Sequence, residues 1–81
     1  MYLHIGKDFV INNKNIIGIF NIDYIKNTKE YKSLYENLEK QGNIKIISDN
    51  QNKTFILVEE NNKIKGYVTN IGTNTIVKRK M

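Results

Sequence analysis

The most constraining feature of this chain is a pair of apolar runs folded back on each other around Asn61-Asn62. Lys53 to Glu60 (KTFILVEE) and Lys63 to Asn70 (KIKGYVTN) are rich in β-branched and aromatic residues, which pack well on a pleated surface. Asn tolerates the positive φ that both central residues of a type I′ turn require, so the pair predicts a two-residue hairpin. That turn sets a register in which Glu60 faces Lys63, Val58 faces Lys65, Ile56 faces Tyr67 and Phe55 faces Val68. Side chains alternate with a period of two, so Phe55, Leu57, Ile64 and Val68 form one face and are expected in the core. The other face carries Ile56, Val58 and Tyr67, with Lys65, Lys63 and Glu60 toward the turn. Both faces therefore need cover.

The first twenty-three residues predict a second β unit of three strands folded back on one another: Tyr2 to Ile5, Phe9 to Asn12 and Ile16 to Ile22. Gly6-Lys7-Asp8 reads as a three-residue loop of the kind that carries a bulge, and Asn12 to Asn15 as a polar reversal. Ile16, Phe20 and Ile22 line one side of the third strand with Gly18 among them, and Ile17 and Ile19 line the other. A strand apolar on both sides is central or covered by a partner, and Gly18 marks a bulge or a close approach. His4, the sole histidine, reads as a locally hydrogen-bonded strand residue rather than a proton shuttle, because no Cys or second His exists to join it.

Between the β units the pattern turns helical. Asn27 is the expected N-cap, with Glu30 closing a capping box. Tyr31, Leu34, Tyr35 and Leu38 fall at i, i+3, i+4 and i+7 on one stripe, read as core rather than a binding groove, and Gly42 stops the helix. Ile44 to Ser48 is a further strand and Asp49-Asn50-Gln51-Asn52 a loop. After Asn70 the expectation is a polar turn, a short apolar segment at Ile76-Val77, and a basic tail Lys78-Arg79-Lys80.

The fold class expected is α+β: a small, mostly antiparallel domain of about six short strands in two β units, with one amphipathic helix between them, forming a single domain over residues 1–81. A chain of this size buries roughly 60% of its extended-chain surface, and without Cys it has neither disulfides nor thiolate-held metal to add stability. Oligomerisation is the remaining common route. One helix has one apolar stripe and cannot cover both faces of the hairpin and of the third strand. A neighbouring copy is therefore expected over the surplus, at Ile17, Ile19, Ile56, Val58 and Tyr67.

The net charge is +5 with an isoelectric point near 9.5. Such a balance permits an anionic partner, while the Asn-, Lys- and Ile-rich composition of an AT-rich genome produces the same basicity without one. The candidate phosphate contacts are Lys53, Lys63 and Lys65 on the second β unit and Lys78, Arg79 and Lys80 on the tail, which reads either as a solvated end or as a phosphate-contacting arm. No nucleophile stands beside a base, no phosphate-binding Gly-rich loop occurs, and no metal-ligand spacing appears, so neither catalysis, cofactor nor metal is expected. Glu59 and Glu60 are strand neighbours pointing to opposite faces and cannot flank one substrate. No stretch approaches the ~20 apolar residues of a membrane span, and no signal-peptide pattern opens the chain, so a cytoplasmic location is expected.

Met1-Tyr2-Leu3-His4-Ile5-Gly6-Lys7-Asp8-Phe9-Val10, followed by Asn15-Ile16-Ile17-Gly18-Ile19-Phe20-Asn21, resembles the start of the RemB branch of the RemA/RemB-type bacterial extracellular matrix regulators. Tyr67, Thr69, Ile71, Thr73, Thr75, Ile76, Lys78 and Arg79 resemble that family's C-terminal motif, with Thr in several Ser places and Asn70 where a Pro is usual. The resemblance implies a small cytoplasmic regulator of biofilm matrix genes, a homo-oligomer, ring-like as in the RemA branch, with double-stranded DNA or a RemA-like relative as partner. An Arg-rich loop carries DNA contacts in the RemA branch. Its counterpart here is Asp49-Asn50-Gln51-Asn52-Lys53, with one cation and one acid, and Asn50 and Gln51 cannot replace bidentate Arg contacts. The alternative function is therefore an interaction or oligomerisation module that modulates a DNA-binding relative without touching DNA.

Overall fold

A computed structural model describes residues 1–81. In chain order it comprises β1 (Tyr2–Gly6), β2 (Phe9–Asn12), a single 3-10 turn at Asn13–Asn15, β3 (Ile16–Asn21), α1 (Ile22–Ile25), α2 (Lys29–Lys40), β4 (Ile44–Ile46), β5 (Thr54–Glu60), β6 (Lys63–Thr69) and α3 (Thr73–Lys80). The domain is α+β. Its sheets differ from the two antiparallel units expected, and it has three helices rather than one. β1 and β2 form a separate two-stranded hairpin, while β3 leaves them and joins a four-stranded sheet of order β3-β5-β6-β4.

The β5–β6 hairpin has the register that the asparagine turn dictates, from Glu60↔Lys63 through Val58↔Lys65 and Ile56↔Tyr67 to Phe55↔Val68. Asn61 and Asn62 both have positive φ, at 52° and 66°. β3 lies antiparallel to β5 and β4 parallel to β6, so β3 and β4 run the same way on opposite edges. α2 makes the crossover between them. Its N-cap is Thr28, one residue later than expected, and the Thr28 side chain accepts from the Tyr31 N–H. The helix closes with Gly42 at φ 74°. Gly42 N–H donates to Glu39 O and Asn43 N–H to Leu38 O, the two bonds of a Schellman motif.

Each face of the four-stranded sheet has its own cover. On one side Leu38 packs with Phe55 and Val68, and Tyr31, Leu34, Tyr35, Leu57 and Ile64 surround them. The Tyr31 ring meets Phe55 edge-on at 5.2 Å, a geometry favoured by ring quadrupoles. On the other side the β1–β2 hairpin contributes Leu3, Ile5 and Ile11 and α3 contributes Ile76, all against Ile47, Ile56 and Val58. The residues expected to form a polar turn and tail thus form a helix, and with the hairpin they cover the face assigned to a neighbouring copy. Ile56 and Val58 are 0% exposed; they are core residues of the single chain and cannot form an interface.

Two irregularities shift the strand phase. Gly6, at φ 131°, absorbs a bulge in β1 that side-chain-bearing residues rarely accommodate. A second bulge between Ile16 and Gly18 switches the phase of β3. Ile16 and Ile19 therefore both pack toward the hairpin layer, and Ile17 is turned out, 52% exposed. Phe20 lies on the α2 side beside Phe55, with ring centroids 6.4 Å apart.

Candidate nucleic-acid interface

The charged surface is built on the layer that covers Ile56 and Val58. In β1 the inward residues are Leu3 and Ile5, so Tyr2 and His4 face solvent. In α3 only Ile76 is buried, which leaves Val77, Lys78, Arg79 and Lys80 exposed along its last turn. Two hydrogen bonds tie helix to hairpin: Arg79 Nη1 donates to His4 O at 3.1 Å, and Asn13 Nδ2 donates to Lys80 O at 3.3 Å. His4 Nε2 in turn bonds the Lys7 carbonyl oxygen, the local role expected of a lone strand histidine.

This arrangement gathers charge that is scattered in sequence. The hairpin with its 3-10 turn (residues 1–15) and the final segment (72–81) carry five cations, Lys7, Lys14, Lys78, Arg79 and Lys80, against one acid, Asp8. Their surplus of four is nearly the whole of the chain's +5; residues 16–71 hold eight cations and seven acids. All five cations are exposed. None has a carboxylate within 4.0 Å, since the only ion pairs are Lys26–Asp23 and Lys40–Glu36. Positive charge at the end of α3 also meets the partial negative charge of its unpaired carbonyls, which stabilises the helix.

Six cations were expected to act together, and the fold divides them. Lys78, Arg79 and Lys80 share the layer just described. Lys53 stands just before β5 and Lys63 opens β6 beyond the Asn61-Asn62 turn. They mark opposite ends of a seven-residue strand, roughly 24 Å apart along it. Lys65 is half-buried beside Lys45 in a cleft at the β4 edge. Lys7 and Lys14 lie on the same layer as the α3 cations but at opposite ends of the β1–β2 hairpin, Lys14 in a cleft with Glu59 beside the Asn61-Asn62 turn; no sequence motif marks them, and a separate charge count of the two chain ends was the available signal. Asp49 to Lys53 is an exposed loop.

Of the five residues expected at an oligomer interface, Ile17 is exposed and Ile19 half-buried against the core. Tyr67 is half-buried and its hydroxyl donates to Glu60 Oε1 at 3.2 Å. Burial, then the Glu60 charge and this hydrogen bond, raise the Tyr67 pKa above 10.0. Tyr31 is raised by burial and then by Tyr35, and Tyr35 by burial and then by Glu39. No helix is long and apolar enough to cross a membrane, and no three His, Asp or Glu side chains come together as a metal site. No protein-family model and no curated protein matches the chain.

Proposed function

We propose that this protein is a DNA-associated regulator, acting in the cytoplasm as an oligomer, whose hairpin–α3 layer lies against duplex phosphates. The observation that carries this reading is the concentration of four of the five net positive charges on that one layer, with no carboxylate paired to any of its cations. The likeness of both chain ends to the RemB-type matrix regulators supports the narrower assignment to biofilm matrix genes. Those same two ends build the charged layer.

Each phosphate neutralised steepens log K against log salt by about 0.9. Five cations per chain correspond to a slope near −4.5 for each chain engaged, and an oligomer multiplies it. A mobility-shift series on duplex DNA between about 50 and 200 mM salt measures that slope. The K78A/R79A/K80A variant is expected to flatten it by about 2.7 per chain engaged, while K53A/K63A leaves it nearly unchanged. Absence of any shift at about 50 mM salt, or equal slopes for the two variants, rules the reading out.

The loop Asp49 to Lys53 favours a second reading, in which the chain modulates a DNA-binding relative without touching DNA. One cation beside one acid supplies no net attraction to phosphate there. Co-purification with such a relative, together with indifference to free DNA at every salt concentration, distinguishes it.

A further inference from the structure

At the opposite edge of the sheet from α3, a cleft of about 360 Å³ opens between β2, β4 and β6. Its walls combine two chemistries. Phe9 and Tyr67 supply an apolar side, and Lys45 and Lys65 supply two ammonium groups. The register explains the convergence: Lys45 is the partner of Tyr67 across the parallel β4–β6 pair, so it shares a face with Tyr67 and with Lys65 two residues earlier. From the layer above, β2 brings Phe9, and Lys45 Nζ sits 5.1 Å from the Phe9 ring centroid. That cation–π contact holds the ammonium at the cleft wall while leaving it N–H donors.

Neither lysine has a carboxylate within 4.0 Å. Glu60, toward the turn on that face, accepts from the Tyr67 hydroxyl. Lys65 is half-buried, its stem packed against the sheet while its ammonium lines the cleft. An anion placed between the two ammonium groups would pair with both. A lone phosphate would leave most of the cleft empty, and a wholly apolar ligand would bury two unpaired cations. The volume lies in the range of small-molecule sites. A flat ring joined to an anionic group satisfies both walls at once.

We propose that this cleft binds a nucleoside phosphate, its base against Phe9 and Tyr67 and its phosphate on Lys45 and Lys65. The site lies at the edge formed by β4, away from α3, which packs toward β1 and β3, and shares only Phe9 with the layer proposed to meet DNA. Ligand binding here stands whether or not the chain binds DNA.

The test is an amide NMR titration of the full chain with AMP, GMP, CMP and UMP, with adenosine and inorganic phosphate as partial probes. At least one nucleotide is expected to give saturable shifts centred on Phe9, Lys45, Lys65 and Tyr67, about tenfold tighter than either partial probe. Lys45→Gln and Lys65→Met, the latter keeping the apolar stem, are each expected to weaken it about tenfold. Spectra that overlay the parent elsewhere serve as the fold control. K78A/R79A/K80A is expected to leave nucleotide affinity unchanged. Failure of all four nucleotides to saturate at about 10 mM, shifts centred on α3, or undiminished affinity in both cleft variants would each overturn the proposal. Phosphate alone matching the nucleotides would overturn the base contact.

Discussion

Replacing Ile76 with Ala is the sharpest test of the second layer. α3 has eight residues, fewer than the roughly 12–15 that an isolated helix needs in water, so its helicity depends on docking. Ile76 is its only buried residue and is 0% exposed, against Ile5, Ile56 and Val58, which are equally closed. The substitution removes three carbons, worth about 2.4 kcal/mol at ~0.8 kcal/mol each. Strand residues on both sides limit collapse into the gap, so a cavity contribution of about 1 kcal/mol follows, for a total near 3–4 kcal/mol. At 0.05–0.15 kcal/mol per residue the whole chain has about 4–12 kcal/mol. About a quarter or more of its stability thus rests on one side chain.

Urea unfolding followed by circular dichroism measures the loss, and amide exchange locates it. With a slope of ~1–1.5 kcal/mol per molar, the midpoint is expected to fall by about 2–4 M. The α3 amides should lose protection ahead of those in β5 and β6. Val77→Ala, one position along and exposed, is the control and should stay within about 0.5 kcal/mol. A loss below about 1 kcal/mol for Ile76→Ala, with α3 amides still protected, would refute the packing of this layer.

Thr54 is 0% exposed, and its hydroxyl bonds Ile71 O at 2.7 Å and Thr73 Oγ1 at 2.9 Å, so Thr54→Val is expected to cost about 1–2 kcal/mol in urea unfolding, with Thr54→Ser recovering much of it. A Cβ on Gly66 would lie 2.7 Å from Phe55 Cε1, and Phe55 is fully buried, so Gly66→Ala should cost about 1–3 kcal/mol. Gly18→Ala meets Phe20 at the same distance, but that ring is partly exposed and can swing aside, so thermal melts should rank it as the milder change. The pKa values of Tyr31, Tyr35 and Tyr67 are raised in the folded chain, so the unfolded chain loses those protons first as pH passes about 10. Stability contributed by the three phenols is intact below that pH and falls above it; the urea midpoint should drop between about pH 9 and 11, and less so in Tyr67→Phe.

Local patterns in the sequence carried the β5–β6 hairpin and α2 because the determinants lie within a few residues. Asn61-Asn62 impose positive φ, and Tyr31, Leu34, Tyr35 and Leu38 repeat at helical spacing. β3 was placed with the wrong partner, since a strand apolar on both sides pairs equally well with β2 or with β5. Local pattern does not distinguish a neighbour in sequence from one some forty residues away. The bulge before Gly18 was legible as a possibility, but its consequence, the turning out of Ile17, depends on where the extra residue falls. α3 was illegible for a different reason. Thr73-Asn74-Thr75-Ile76-Val77 has four β-branched residues with weak helix propensity and one buried apolar residue, so the helix exists through docking. Missing it left Ile56 and Val58 uncovered and made an intermolecular interface appear necessary. It also left Lys7 and Lys14 unconnected to the basic end.

Core and charge are divided residue by residue along α3: Ile76 faces inward, while Lys78, Arg79 and Lys80 remain outside. Docking and phosphate affinity are therefore linked but unequal in their response to mutation. A binding site that exists only in the docked state weakens in proportion to the fraction docked. If Ile76→Ala reduces docking to near balance, that fraction is about one half and the apparent affinity falls only about twofold, although stability falls by several kcal/mol. The cations still present keep the salt slope unchanged. K78A/R79A/K80A does the reverse: no core atom is removed, losing the Arg79–His4 bond and the charges at the helix end costs only about 1–2 kcal/mol, and the slope flattens. Measured together, the two variants should cross, one losing more stability with its slope intact and the other losing slope with most of its stability intact. Parallel losses in both would mean that the basic turn acts only as the end of a structural helix.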